Sequence, residues 1–367
     1  MNKLGFGFLR LPRAGKDIDY PLLNQMVDVF LARGGVYFDT AYTYLDGKSE
    51  EAIRECVVKR YPRDRFSLAD KLPSWMVRSH EECRQYFDEQ CRRCGVDFFD
   101  VYLLHWLNRE NYRICEKCDE FAFLRALKND GKVGKIGFSY HDGAHLLDEI
   151  LTAHPEVDIV QLQINYLDWD SAAIEAGNCY RVAEKHGKTV IVMEPVKGGT
   201  LANLPVGAEA VLREIHPEWS MASWAMRFAQ SLPRVEFVLS GMNTLDQLLD
   251  NLQEISPLDA REQNAIRQAA SIIAAQTAIA CTGCRYCEQH CPKGIAIPDN
   301  FALYNELHRN PGDAWKIQPA YDELVLRHGR ASECIGCGRC ERHCPQHLAI
   351  ADGMRRVAAH FDHREGD

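Results

Sequence analysis

Two stretches of this chain repeat one spacing of cysteines: Cys281-Thr282-Gly283-Cys284-Arg285-Tyr286-Cys287-Glu288-Gln289-His290-Cys291-Pro292, and Cys334-Ile335-Gly336-Cys337-Gly338-Arg339-Cys340-Glu341-Arg342-His343-Cys344-Pro345. Both read C-x2-C-x2-C-x3-C-P. Three thiolates at i, i+3 and i+6 on a tight loop can each reach a different iron of one cubane. Gly283, Gly336 and Gly338 let the backbone fold closely around the sulfides. Zinc sites take their ligands as two separated pairs, so a run of four that occurs twice points to two [4Fe–4S] clusters. The C-terminal part of the chain must therefore wrap its loops around metal.

The chain has 367 residues and 15 cysteines. Its first residues, Met1-Asn2-Lys3-Leu4-Gly5, hold no apolar run long enough for a signal peptide, and no segment approaches the roughly 18 apolar residues of a membrane span. A cytoplasmic location is expected. There, clustered cysteines more often bind metal or do redox chemistry than form disulfides. The formal charge of -9 argues against a nucleic-acid or membrane partner. A weaker echo, Cys91-x2-Cys94 with Cys115-x2-Cys118, superficially fits a zinc ribbon. One pair precedes a predicted strand and the other follows it, about 20 Å apart along a strand of six to eight residues. Unlinked thiols are expected there.

Before about residue 255, short apolar runs alternate with amphipathic helical patterns. The strand candidates are Leu4–Phe8, Val36–Phe38, Phe66–Ala69, Phe99–Leu104, Lys135–Phe138, Ile159–Leu162, Thr189–Met193 and Val235–Leu239. Helical patterns lie near 20–33, 49–59, 79–93, 120–129, 143–152, 170–186, 220–230 and 245–254. This alternation predicts an α/β fold, a closed parallel (β/α)8 TIM barrel, followed by a small, mainly helical iron–sulfur domain. The expected organisation is a barrel over 1–255, a helical connector over 256–280 that begins at Ser256-Pro257, and a cluster domain over 281–367 with a helical insert at Asp299–Leu326.

Chemistry in such barrels sits at the C-terminal ends of strands. Asp39 ends the second, in Phe38-Asp39-Thr40-Ala41-Tyr42-Thr43-Tyr44. Lys71 ends the third and His105 the fourth, in Val101-Tyr102-Leu103-Leu104-His105-Trp106. FDTAYTY, the strand-end lysine and VYLLHW resemble the aldo-keto reductase pattern over about residues 3–255, as does the run from Gly131 to Ser139. The Cys-rich tail resembles bacterial two-cluster ferredoxins, so the chain is identified as a member of the aldo-keto reductase subgroup with such a tail. In those ferredoxins the fourth cysteine ligates the other cluster. The resemblance implies one cluster on Cys281, Cys284, Cys287 and Cys344, and another on Cys334, Cys337, Cys340 and Cys291.

The family resemblance also implies a catalytic tetrad of Asp39, Tyr44, Lys71 and His105 that reduces a carbonyl, or oxidises an alcohol, with NAD(H) or NADP(H). Tyr44 fits the spacing from Asp39 better than Tyr42. Tyr44 would give the proton, with Lys71 lowering its pKa, Asp39 holding Lys71, and His105 orienting the carbonyl. Ser139 and Gln161 would bind the carboxamide, and Gln163 and Asn165 share the latter's strand face. The loop Glu194-Pro195-Val196-Lys197-Gly198-Gly199 resembles the pyrophosphate cover, through Pro195, Lys197, Gly198 and Gly199. Gly241 and Gln247 stand where NADPH-selective members carry cations, which weakens NADPH and leaves NADH, or poor nicotinamide binding, and Asn251 fits an adenine contact. The clusters would serve electron transfer or structure; they pass single electrons whereas nicotinamide gives two, so an external carrier such as a ferredoxin is a candidate partner beside the small-molecule substrate. Two alternatives stand: a ferredoxin-linked reductase that works without nicotinamide, and a non-catalytic redox-sensing nucleotide-binding protein. The stretch Asn108–Asp119 is either a lid or a surface excursion.

Overall fold

The computed structural model describes residues 3–254, 256–309 and 311–362. Ile255, at the expected junction of barrel and connector, lies outside the described residues. The chain divides into two compact units, one of residues 1–196 with 222–260 and the other of 197–221 with 261–367.

In the first unit, strands β1 (Leu4–Gly7), β2 (Tyr37–Asp39), β3 (Ser67–Leu72), β4 (Phe99–Leu107), β5 (Val133–Tyr140), β6 (Ile159–Gln163), β7 (Thr189–Met193) and β8 (Val235–Ser240) form a closed barrel in the order β1-β8-β7-β6-β5-β4-β3-β2. Every neighbouring pair is parallel. The expected (β/α)8 architecture is the one observed.

Strand periodicity sorts the side chains into two layers. Phe38, Leu68, Tyr102, Leu104 and Val160 face outward and pack beneath helix residues such as Phe30, Phe87 and Leu124. Tyr37, Ala69, Val101, Leu103, Ile159, Ile191 and Leu239 face inward and fill the barrel as a separate apolar layer. Two residues further along each strand, the same inward face brings Asp39, Lys71, His105, Gln161 and Met193 above that layer. The alternation that builds the core thus also gathers the polar groups at one end.

Among the elements that went unread in the sequence are a hairpin of Arg13–Ala14 against Asp17–Ile18, a helix at Val206–Arg213, and a C-terminal helix at Ile350–Phe361. The pattern near 170–186 becomes helical only at Ala176. Gln163 Nε2 and Asn165 Nδ2 both donate to Asp168 Oδ2 at 2.8 Å, and Asn165 Oδ1 accepts from the amides of Leu167 and Asp168. These bonds tie the chain into a turn that delays the helix. The stretch after Asn108 is a helix, Arg109–Cys118, with the Asn108 side chain capping its N-terminus.

In the second unit, helices Ala260–Ala275, Ile297–Arg309, Ala314–Leu324 and Ile350–Phe361 accompany the two cysteine loops. A core of Ile279, Ile297, Phe301, Tyr321, Met354, Val357 and Phe361 holds the unit together. The expected single insert is two helices, with Pro311 opening the turn that precedes the second. Among the described residues no helix is long and apolar enough to cross a membrane.

Candidate active site and cluster cavities

Lys71, wholly buried, donates from Nζ to Asp39 Oδ1 at 2.6 Å and to the Thr40 carbonyl at 2.7 Å. Its ammonium also lies 5.0 Å from the centroid of the Tyr44 ring. Tyr44 opens a short 3-10 turn and meets His105 edge-on, with ring centroids 5.7 Å apart at 77°. Tyr42 leaves the site: its hydroxyl donates to Glu89 Oε2 at 3.2 Å and its ring packs under Arg93. Of the two tyrosines in the motif, the fold brings Tyr44 to Lys71 and His105. One inserted residue in β4 aims His105, since pairing with β5 shifts register between Leu104 and Leu107 and Trp106 takes a left-handed φ of 62°. Trp75 packs on both His105 and Trp106, and His141 on Trp106. These aromatic neighbours come from separate loops, which explains why no local motif announced Trp75 or His141.

Burial, then the Lys71 ammonium and His141, hold the His105 imidazole well below its usual pKa, so it is neutral. Its Nδ1 is buried without a hydrogen-bond partner. Tyr44 departs from expectation: its phenol is pushed well above 10, by burial first and then by the charges of Asp39, Glu194 and Asp70. The reason is where the charges sit. Lys71 gives its hydrogen bonds to Asp39 and Thr40, while carboxylates on neighbouring strands oppose ionisation of the phenol. Tyr44 is therefore a protonated donor across the physiological range. Glu194, unmarked in the sequence reading, is held at a left-handed φ of 55° and carries a buried Oε2 without a partner.

Behind Lys71, on the outward face of β3, Asp70 accepts from the Lys71 amide at 2.8 Å and from Cys94 Sγ at 3.6 Å. Glu50 joins this buried cluster and accepts from Arg93 at 2.9 Å. Burial and their mutual repulsion push Glu50 to about 9; burial pushes Asp70 to about 7. Raised carboxyl pKa values mean that the folded chain binds more protons than the unfolded one. The associated stability is present at low pH and is lost as pH rises through these values. Asp70→Asn keeps the acceptor for the Lys71 amide and removes an ionisation. It should raise the melting temperature more at pH 8.5 than at pH 5.5; the opposite ordering in paired thermal melts would contradict this account.

Ser139 and Gln161 stand on the paired strands β5 and β6, directly across from one another. Ser139 Oγ accepts from the Trp106 amide at 2.7 Å, so its own hydroxyl proton points elsewhere. Gln161 is 2% exposed, with Nε2 on Met193 Sδ at 3.6 Å and a buried Oε1 without a partner. A donor hydroxyl beside an orphaned amide oxygen matches a primary carboxamide, which needs one donor and one acceptor. Gln163 and Asn165 are instead engaged with Asp168, as described above. Pro195 is buried, Gly241 and Gln247 are exposed, and Asn251 donates to Ser240 Oγ at 2.9 Å. Arg10, not singled out in the sequence, packs its aliphatic stem against Gly241, within 3.2 Å of where a β carbon would stand. Lys197, Gly198 and Gly199 belong to the second unit, where Lys197 is buried against Gln346.

Among the described residues, two cavities of the second unit are lined by cysteines. One is lined by Cys281, Cys284, Cys287 and Cys344. The other is lined by Cys334, Cys337, Cys340 and Cys291. Each takes three cysteines from one loop and the fourth from the other. The loops share a conformation: Gly283 and Gly336 have φ of 66° and 65°, while Arg285 and Gly338 have 65° and 66°. The Arg285 guanidinium donates two hydrogen bonds to the Asp299 carboxylate and one to Glu288. His290 and His343, equivalent in the two motifs, stack with centroids 3.5 Å apart. Burial pushes the Cys281 and Cys340 thiols to about 11, so without a cation to neutralise them these cavities favour thiols over thiolates. Cavities walled by four sulfurs fit iron–sulfur clusters. The other cysteines, Cys91, Cys94, Cys115 and Cys118 among them, are free thiols.

The sequence profile of the aldo/keto reductase family matches residues 3–271, and that of a 4Fe-4S dicluster domain matches residues 280–349. An aldo-keto reductase of Mycolicibacterium smegmatis is 25% identical over 60% of this chain and 81% of its own. An Escherichia coli protein named NADH-specific methylglyoxal reductase is 24% identical over 62% of this chain and 67% of its own. The holo form of aldo-keto reductase AKR11C1 from Bacillus halodurans shares the fold, with a TM-score of 0.60 at 23% identity over 73% of this chain and 91% of that one.

Proposed function

The chain belongs to the aldo/keto reductase family, and from that premise we propose that it reduces the carbonyl of a small molecule, or oxidises the corresponding alcohol, with a nicotinamide cofactor bound beside Ser139 and Gln161. The observation that carries the reading is the meeting of a protonated phenol and a neutral imidazole, Tyr44 and His105, over the buried Lys71–Asp39 pair.

When bound, the nicotinamide supplies or accepts the hydride. The rest is the work of this chain's own residues. His105, neutral, orients the carbonyl oxygen by hydrogen bonding. Tyr44 gives its hydroxyl proton to the oxygen as negative charge develops there. Lys71, held by Asp39 and Thr40 O, places a positive charge 5.0 Å from the phenol ring and offsets the charge left behind. Trp75 and Trp106 wall the substrate side with apolar surface. Ser139 and Gln161 hold the carboxamide, while Pro195, Gly241, Gln247 and Asn251 line the remainder of the cofactor's path in the first unit. Uncharged Gly241 and Gln247 favour NADH, in keeping with the NADH-specific Escherichia coli relative. In the second unit, Cys281, Cys284, Cys287 and Cys344 would hold one [4Fe–4S] cluster and Cys334, Cys337, Cys340 and Cys291 the other, which would supply single-electron transfer with a carrier such as a ferredoxin, or structural support.

Anaerobic titration of the holoprotein with NADH and NADPH, followed by nicotinamide fluorescence, checks the cofactor assignment. NADH should bind more tightly, and Gln161→Leu should weaken both by about tenfold, the scale of one lost buried hydrogen bond. Absence of any binding at millimolar concentration would reject the nicotinamide reading.

A further inference from the structure

Lys197 is a cation that the second unit has buried: it is 3% exposed, and its Nζ donates to Gln346 Oε1 at 2.8 Å. Gln346, itself 4% exposed, follows the ligand Cys344 by two residues. With Thr282 it lines the cavity of Cys281, Cys284, Cys287 and Cys344. The neighbouring residue meets the same cavity wall through its backbone. Gly198 approaches Thr282 so closely that a β carbon would stand 2.4 Å from the Thr282 carbonyl oxygen. Lys197, Gly198 and Gly199 are all left-handed, with φ of 48°, 64° and 101°. Glycine takes such angles readily, but a lysine held there, as Lys197 is, persists only where its surroundings over-determine it. Here those surroundings are Thr282, inside the first cysteine loop, and Gln346, just past the second.

We infer that Lys197 is a functional part of the iron–sulfur unit: acting through Gln346, it sets the reduction potential of the cluster held by Cys281, Cys284, Cys287 and Cys344. The inference rests on the reading that a cluster occupies this cavity. It gives Lys197 a task other than the phosphate contact expected from the sequence. Reduction adds one electron to an assembly whose four thiolates already make it negative. No bond breaks. A buried positive charge nearby favours the reduced form, and the low dielectric of the interior strengthens the effect. Other cations at the cavities are less effective. Arg285 is paired with Asp299 and Glu288 at the surface, and Lys293, at the other cavity, is exposed to solvent.

The test is an anaerobic redox titration of the full-length holoprotein with dithionite, followed by EPR, on the wild type, Lys197→Met, Lys197→Arg and the double variant Lys197→Met/Gln346→Leu. In Lys197→Met one of the two cluster waves should fall about tenfold in its reduced-to-oxidised ratio at fixed poise, equivalent to about 59 mV for a one-electron couple. The other wave should stay in place and serves as the internal control, while Lys197→Arg should keep the wild-type value. The double variant replaces a hydrogen-bonded pair by an apolar pair of similar size and leaves no orphaned amide. It should show the same fall even if Lys197→Met loads iron poorly. A charge-removing variant with full iron content and unmoved waves overturns the inference, as does an equal shift of both waves. Iron-free wild-type protein, prepared anaerobically, would overturn the cluster reading and this inference with it, an outcome distinct from unmoved waves.

Discussion

Tyr44→Phe should lower kcat for carbonyl reduction by about 10²–10⁴-fold, the range that a positioned general acid contributes, with little change in nicotinamide affinity. The phenol meets His105 at 5.7 Å between centroids and stands over Lys71. Phenylalanine keeps those ring contacts and removes only the hydroxyl group that carries the proton. Tyr42→Phe is the matched control, since the Tyr42 hydroxyl is engaged with Glu89 away from the site. Steady-state kinetics on both variants decide the matter: full activity in Tyr44→Phe, or collapse in Tyr42→Phe, would remove the assignment. The pH profile gives a second reading of the same site. Burial and the surrounding carboxylates hold Tyr44 protonated, and burial with Lys71 holds His105 neutral. Neither group should therefore titrate between about pH 7 and pH 9, and reduction should run on a plateau there as far as these two are concerned.

Cys344→Ser should halve the iron content and abolish the EPR signal of one cluster while sparing the other. Cys281→Ser should do the same to the same cluster, because both residues line one cavity although they sit in different motifs. Their combination should cost no more iron than either alone, since two changes to one site are not additive. Sequential ligation, with each motif keeping all four of its own cysteines, would give the opposite result: the two single variants would strip different clusters and the double variant would strip both. Iron and sulfide analysis of anaerobically purified protein, with EPR of each variant, separates the two arrangements. Melting of the second unit should fall in parallel, because a cluster binds only the folded chain and its loss removes that stabilisation.

What the sequence determined alone was everything encoded over short spans. A C-x2-C-x2-C-x3-C run places its thiols by local backbone geometry, so the cluster loops were legible before any fold was known. Period-two strands recurring between helical stretches implied the barrel, and the strand-end positions of Asp39, Lys71 and His105 followed from the same alternation. The tertiary structure alone decided which groups meet across long separations. It raised the Tyr44 phenol where the sequence reading had it lowered, and gathered Glu50, Asp70 and Cys94 behind Lys71. It also drew Lys197 to Gln346, 149 residues away, and brought Arg10 against Gly241. Burial and electrostatic environment are set by every neighbour that packing brings near, and residues far apart in the chain leave no mark in each other's local sequence.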